Sequence, residues 1–424
     1  MDPYCFTAGV LECGSRVYYR HLPECNYVRF GIRVKVGSLQ DPARKEGLAH
    51  LFEHLVFGGT ERYPNDDDIE VLVEELGGSF NANTNIQRTL YFVELPVAHT
   101  VTAWDCLEQM VFYPLLSQAT LDRERLIIFN EINRAEEKAS WRDVKRFFVY
   151  MYGSNHAEHC WVLGWPETLE RVSLQDVQAF HVQYNVPENC DIVMVGNLTL
   201  ITPDPVTWLN DRWQHWGTRA TRIASELRPG VMSVPSQWRS YYLPIKSPRF
   251  EMSGPLHRSD KPDVLLPQEI EGVADIATTL LGGRSSLSLL QKILRKKLGL
   301  VYGISSVYHV RTYMGEWEIR TTVNSEADLL QVQEVIDQVL TDPASFSDEN
   351  IESVKSTILG RYALTDHTPG QLFRYAIGSL TDEDRIVSKS ELLQRVVTPT
   401  AEEVRQFVAW AFAPSNRITI TYLP

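Results

Sequence analysis

Gly47-Leu-Ala-His-Leu-Phe-Glu-His-Leu-Val-Phe-Gly-Gly59 is the stretch from which the rest of the chain can be read. At its centre, His50-Leu-Phe-Glu-His54 follows the pattern H-x-x-E-H. Two histidines four apart on a helix sit about one turn from each other, so both rings can address one metal ion. Glu53 falls roughly 60° off that face, where a carboxylate can reach water at the metal without ligating it. The chemistry needs these residue types. Neutral imidazoles hold Zn²⁺, and a glutamate takes a proton from water that the ion has acidified.

The same phrase returns later in the chain. Gly272-Val-Ala-Asp-Ile-Ala-Thr-Thr-Leu-Leu-Gly-Gly283 keeps its glycines and apolar positions. Leu72-Val-Glu-Glu-Leu-Gly-Gly-Ser-Phe80 likewise matches Leu294-Arg-Lys-Lys-Leu-Gly-Leu-Val-Tyr302. The offsets, 272 − 47 = 225 and 294 − 72 = 222, nearly agree. Such self-similarity reads as one domain duplicated. Where the first copy has His50, Glu53 and His54, the second has Asp275, Thr278 and Thr279. The copy keeps packing residues and loses the ligands, so at most one zinc per chain is expected.

Each half reads as mixed α and β. Val28 to Val36 alternates with strand period, then a Gly-Asp-Pro loop leads into the histidine helix. Pro64-Asn-Asp-Asp-Asp68 opens the next helix with acids at its positive end, and Gly77-Gly78 ends it. Phe80 to Thr84 and Thr89 to Leu95 read as paired strands, Leu121 to Glu137 as a long helix, and Asp191 to Gly196 as a buried closing strand. The expected fold class is α+β: two homologous α/β-sandwich domains, each a mostly antiparallel sheet with helices packed on it. Residues 1–215 form the zinc-binding domain in this reading. Residues 216–265, rich in Pro, Ser and Arg, form a linker and the lead-in to the second repeat. Residues 266–424 form the second domain, without zinc ligands.

A chain of 424 residues, 44% hydrophobic and 22% charged, has an ordinary globular composition and room for two to four domains. No stretch approaches the length and apolarity of a membrane span, so no membrane partner is expected. The start lacks the basic head and apolar run of a secretory signal. The six cysteines all fall in the first 190 residues without a C-x-x-C pair, which favours reduced thiols and a cytoplasmic location. Net charge is −13 and lopsided: residues 1–212 carry 18 Lys+Arg against 30 Asp+Glu, the remainder 23 against 24. That balance argues against nucleic acid, whose phosphates need a basic surface. The acidic surplus reads first as a solvated face, although an acidic wall around a metal would favour basic peptides. His156-x-x-His159-Cys160 offers a superficial second metal set in what reads as a loop.

A catalytic zinc takes three protein ligands and keeps one open position. In the long helix, Glu124, Ile127, Ile128 and Glu131 share one face by i, i+3, i+4, i+7 spacing. A carboxylate embedded in an apolar stripe is costly unless paired or metal-bound. Glu131 is therefore the candidate third ligand, and Glu124 a candidate partner for a histidine. A frayed or snorkelling glutamate is the bland reading of Glu131.

H-x-x-E-H is the inverted form of the zinc-peptidase signature. The chain resembles the pitrilysin/insulinase family of zinc metallopeptidases, in its short two-domain branch with the mitochondrial processing peptidase. The resemblance rests on the 131 − 54 = 77 residue spacing from His54 to Glu131, with Glu124 seven residues before it. Gly47-Leu-Ala, Phe57-Gly-Gly-Thr60 and Asn81-Ala-Asn-Thr84 agree with its flanking phrases. It implies Zn²⁺ on His50, His54 and Glu131, with Glu53 as general base. It makes Asn81, Ala82, Asn83 and Thr84 an edge strand that holds a peptide by backbone pairing. Arg295 and Tyr302 match the family pair that contacts substrate and the developing oxyanion. Their bland reading is a helix-end arginine and a core tyrosine. Four-domain relatives close a chamber between zinc domain and Arg/Tyr domain. A two-domain chain is therefore expected to pair, as a homodimer or with a related chain as its partner. The implied activity is a zinc endopeptidase for short or unfolded peptides. Its rivals are maturation of a modified or leader peptide, and a non-catalytic structural subunit.

Overall fold

A computed structural model describes residues 4–137, 161–216, 240–244, 249–255, 267–283, 287–310, 315–323, 325–364, 367–413 and 417–423. The alternation around Val28 becomes the strand at the heart of the first sheet. That sheet comprises β1 (Thr7–Val10), β2 (Arg16–His21), β3 (Tyr27–Val34), β4 (Ser79–Thr84), β5 (Thr89–Pro96) and β6 (Cys190–Gly196). Their order is β1-β2-β6-β3-β5-β4, antiparallel except for the parallel pair β2/β6. The stretch expected to close the sheet, Asp191 to Gly196, instead runs through its middle as β6, buried along its whole length. Continuous apolar burial is what a strand covered on both faces requires.

Helices α1 (Leu48–Leu55), α2 (Asp68–Glu75), α3 (Thr100–Phe112) and α4 (Gln118–Glu137) belong to the first unit. The glycine pair after α2 closes it as expected. Gly77, at φ +76°, donates its N–H to Glu74 O (2.9 Å), and Gly78 donates to Val73 O (2.9 Å). These are the two bonds of a Schellman cap, which needs a left-handed residue at the first position. Leu48, Leu51, Phe52 and Leu55 of α1 join Leu121, Ile128 and Ile132 of α4 in the core of this unit.

The second sheet has β7 (Ser240–Pro244), β8 (Arg249–Pro255), β9 (Val301–Val310), β10 (Gly315–Val323) and β11 (Ile418–Leu423), in the order β7-β11-β8-β10-β9. Shifting β2 through β6 by five labels reproduces this order strand for strand. The single parallel pair recurs too, as β7/β11. The fold class is thus two mixed sandwiches of one topology, each with its own core. The span 216–265 contains β7 and β8. Their pairing with β11, β10 and each other's neighbours, more than any local periodicity, makes them strands. His367–Thr381 packs with the first unit, although this segment falls inside 266–424. Phe373 explains why: an added Cβ at Gly31 of β3 would lie 2.4 Å from its ring, so only glycine admits it. Arg29 lies over the rings of both Phe92 and Phe373 (4.8 and 5.1 Å).

One buried ion cluster ties the first sheet together. Asp191 of β6 lies directly opposite Arg16 of β2 and Arg33 of β3. Its carboxylate accepts from Arg16 Nε (2.7 Å) and is met by Arg33 Nη2 (2.8 Å) and Lys35 Nζ (3.2 Å). Burial alone would raise its pKa, but these cations hold it below the usual carboxylate range. Asp191→Ala strands buried positive charge and should cost about 3–5 kcal/mol in urea denaturation. Because the folded pKa is depressed, this stabilisation is complete above the unfolded value and lost as pH falls through the folded one. The stability gap between wild type and Asp191→Asn should therefore close in strong acid; a gap that persists there removes the cluster from this role.

Candidate metal centre

Helix α1 divides its residues cleanly. Leu48, Leu51, Phe52 and Leu55 are buried at i, i+3, i+4, i+7 spacing, and Phe52 packs on Phe180 (5.5 Å) and His181 (5.7 Å). His50 and His54 are left on the opposite side with ring centroids 4.7 Å apart. Glu131, one face of α4, completes the group: ligand atoms of His50, His54 and Glu131 all lie within 4.8 Å of one another. Among the described residues it is the one such cluster of three. His156, His159 and Cys160 lie outside the described residues.

Each member is tuned by its surroundings. Burial, helped by nearby His54, pulls His50 down to about 3, so its imidazole is neutral. Its Nδ1 is buried without a hydrogen-bond partner among the described residues. Burial also opposes charging His54, but Glu124, Glu131 and Glu53 outweigh it and the pKa is raised. His54 Nδ1 lies 3.3 Å from Glu124 Oε2, and Nε2 lies 3.8 Å from Glu131 Oε1. A carboxylate at Nδ1 favours the proton there, which would leave Nε2 for a metal ion. Glu124 is held in turn by Arg123 Nε (3.1 Å). Glu53 is buried, which raises its pKa; hydrogen bonds from Thr84 offset part of that, and Oε2 has no partner among the described residues. Two imidazoles, one carboxylate and orphaned polar atoms among them make a donor set that suits Zn²⁺.

Glu131 does not lie within an apolar stripe, contrary to the expectation from its spacing. Ile127, expected on its apolar face, is 40% exposed, and the Glu131 side chain is 39% exposed. Only Ile128 and Ile132 of this helix segment are buried. A twenty-residue surface helix buries a narrow stripe, and Glu131 stands at its border. The free energy that would force a buried carboxylate to find a partner is therefore absent at this position.

The remaining candidates divide between the two units. β4 is an edge of its sheet, with Asn81 and Asn83 exposed and Ala82 buried. Thr84 at its end reaches Glu53. Arg295 and Tyr302 belong to the second unit, the guanidinium carbon 5.4 Å from the tyrosine ring centre. Tyr302 is 89% exposed, unlike a core tyrosine. Arg295 lies on a π-helical segment, Gln291–Lys297, that Leu298 N closes onto Ile293 O (2.9 Å). Asp275, the counterpart of His50, is pushed up to about 6, mainly by burial.

Sequence reasoning missed Asp41. It is 1% exposed and accepts from Gly47 N (2.7 Å) and Ala49 N (2.8 Å) at the start of α1. It stands six residues before the N-cap position Gly47, beyond the spacing at which N-caps are recognisable.

A duplicated sandwich with H-x-x-E-H on its first helix and a carboxylate from a later one is the architecture of the inverted metallopeptidase class. A model of the family Insulinase (Peptidase family M16) matches residues 16–154, and one of the Peptidase M16 inactive domain matches residues 171–358. The chain belongs to this pitrilysin/insulinase family. It is 26% identical over 347 residues to an uncharacterized zinc protease of Mycobacterium leprae, covering 78% of this chain and 73% of that one. Coenzyme PQQ synthesis protein F of Pseudomonas protegens is 25% identical over 291 residues, which span 67% of this chain but only 33% of that protein. A solved protease from Helicobacter pylori shares the fold at TM-score 0.83, with 17% identity and 99% of both chains covered.

Glu131→Ala should reduce bound divalent metal well below one ion per chain while leaving the circular dichroism spectrum unchanged. Retained stoichiometric metal in that variant would exclude Glu131 from the centre.

Proposed function

We propose that this chain is a zinc-dependent endopeptidase acting on short or unfolded peptides. The observation that carries the reading is the convergence of His50, His54 and Glu131, with the partnerless oxygen of Glu53 buried beside them. Those three residues would hold Zn²⁺, which would supply Lewis acidity to a water molecule and to a scissile carbonyl. Glu53 takes the proton from the attacking water and returns it to the leaving amine; its burial raises its proton affinity, which suits both steps. Glu124 keeps His54 in the tautomer that presents Nε2. The outer edge of β4 pairs with an extended peptide along Asn81–Thr84. Arg295 and Tyr302 stabilise the negative charge that develops on the substrate.

Glu53→Gln tests this reading directly. Zinc content should stay near one per chain, while cleavage of a diverse peptide mixture, followed by mass spectrometry, should fall by about 10²–10⁴-fold. Turnover undiminished in that variant would take the base role from Glu53. Absence of zinc from the wild-type protein would favour a non-catalytic subunit, a reading consistent with the name of the family model over residues 171–358. A narrower reading, with which similarity to a coenzyme PQQ synthesis protein is compatible, makes the substrate a modified or leader peptide undergoing maturation.

With one zinc domain and one Arg/Tyr domain, the chain carries one of each half-site, and the proposal pairs it with a second copy or a related chain. Light scattering alongside peptidase assays checks this: activity should appear with the dimer, and an active monomer would sink the pairing.

A further inference from the structure

We infer that Asp41 is a positioning residue for the metal helix, locking the start of α1 to the loop in which the edge strand β4 ends. The inference rests on the zinc reading and extends it to a residue outside the H-x-x-E-H motif.

The start of α1 lacks a cap of its own. Its N-cap position is Gly47, left-handed at φ +95°, with no side chain to accept a hydrogen bond. Orphan N–H groups at a helix start need an acceptor. Asp41 supplies both oxygens: Oδ2 accepts from Gly47 N (2.7 Å) and Oδ1 from Ala49 N (2.8 Å). Ala49 immediately precedes His50, so this bond sets the helix phase at the first ligand. An eight-residue helix has too few internal bonds to hold that phase alone.

Asp41 is itself tethered to β4. Its own N–H donates to Ser38 O (3.2 Å), while Ser38 N and Leu39 N donate to Asn85 O (3.1 Å) and Ile86 O (3.0 Å). Asn85 directly follows Thr84, the last residue of β4. An added Cβ at Gly37 would lie 2.2 Å from Asn85 O, so turn and loop are in close backbone contact. The connection runs from β4 through residues 85–86 and the 38–41 turn to the carboxylate, then to Ala49 and His50. Displacing α1 moves the ligands relative to both Glu131 and the strand proposed to align substrate.

The test compares zinc affinity by chelator competition, and the visible spectrum of the Co²⁺-loaded protein, across full-length variants. Asp41→Ala should bind zinc about 10- to 100-fold more weakly, on the scale seen when groups supporting metal ligands are removed. Its Co²⁺ bands should shift. Asp41→Asn keeps one acceptor oxygen and should fall between wild type and alanine; it carries the test if the alanine variant does not fold. Asp204→Ala is the control. Asp204 is the N-cap of the helix Pro205–Trp213, its Oδ1 accepting from both Val206 N (2.9 Å) and Thr207 N (3.1 Å), and it lies away from the metal helix in sequence. That variant should lose thermal stability without changing zinc affinity or the Co²⁺ spectrum. Equal affinity in wild type and both Asp41 variants overturns the inference. So does a loss in Asp204→Ala matching that in Asp41→Ala, which would mean general loosening. Failure of the wild-type protein to bind zinc removes the zinc reading, and this inference with it.

Discussion

Everything at the centre depends on how α1 is seated. A helix of eight residues is too short to persist in water, so packing decides its position and rotation. Leu51, Phe52 and Leu55 are each essentially fully buried, and burying such a side chain contributes roughly 1.5–3 kcal/mol relative to exposure. Together they outweigh the cost of drawing the Glu53 carboxyl out of water. The histidines, on the other side of the same cylinder, are thereby aimed away from the core. Their direction is a consequence of the apolar stripe and needs no separate device.

The two copies show which part of this arrangement belongs to the fold and which to the site. Strand order and the lone parallel pair recur in both, as does a helix between matched strands, β3 and β4 in the first copy and β8 and β9 in the second. The apolar stripe recurs as well, with Val273, Ile276, Ala277 and Leu280 buried on the second copy's helix. The polar face does not. Asp275 and Thr279 stand where ligands would be, and burial raises the Asp275 carboxyl to about 6. Packing is selected by shape, so one topology accepts either set of polar residues.

The alternation of β3, the glycine stop of α2 and the histidine spacing were legible because each depends on residues close together in the chain. Cys190–Gly196 was legible as a buried strand but not as a central one, since neighbours in a sheet are a long-range matter. β7 and β8 were hidden for the same reason. Glu131 was named from spacing, and the three donors do converge, yet its supposed burial was not what the helix provides. Phe373, far along the chain, packs on Gly31 because a missing side chain in β3 leaves room for a ring. Neither residue announces the other.

The sequence by itself determined the chemistry proposed for the site. The types of the candidate ligands stand in the motif itself, and their one-turn separation and the offset of the intervening glutamate follow from helical geometry, which a short peptide stretch specifies. Tertiary structure decided what holds those groups in place. It brought Glu124 to one face of His54, set Thr84 against Glu53 and carried Asp41 onto the amides of Gly47 and Ala49. Supporting contacts of this kind join residues separated by loops or whole elements. They arise only when burial of distant apolar surfaces closes the chain on itself, and local pattern has no means of encoding them.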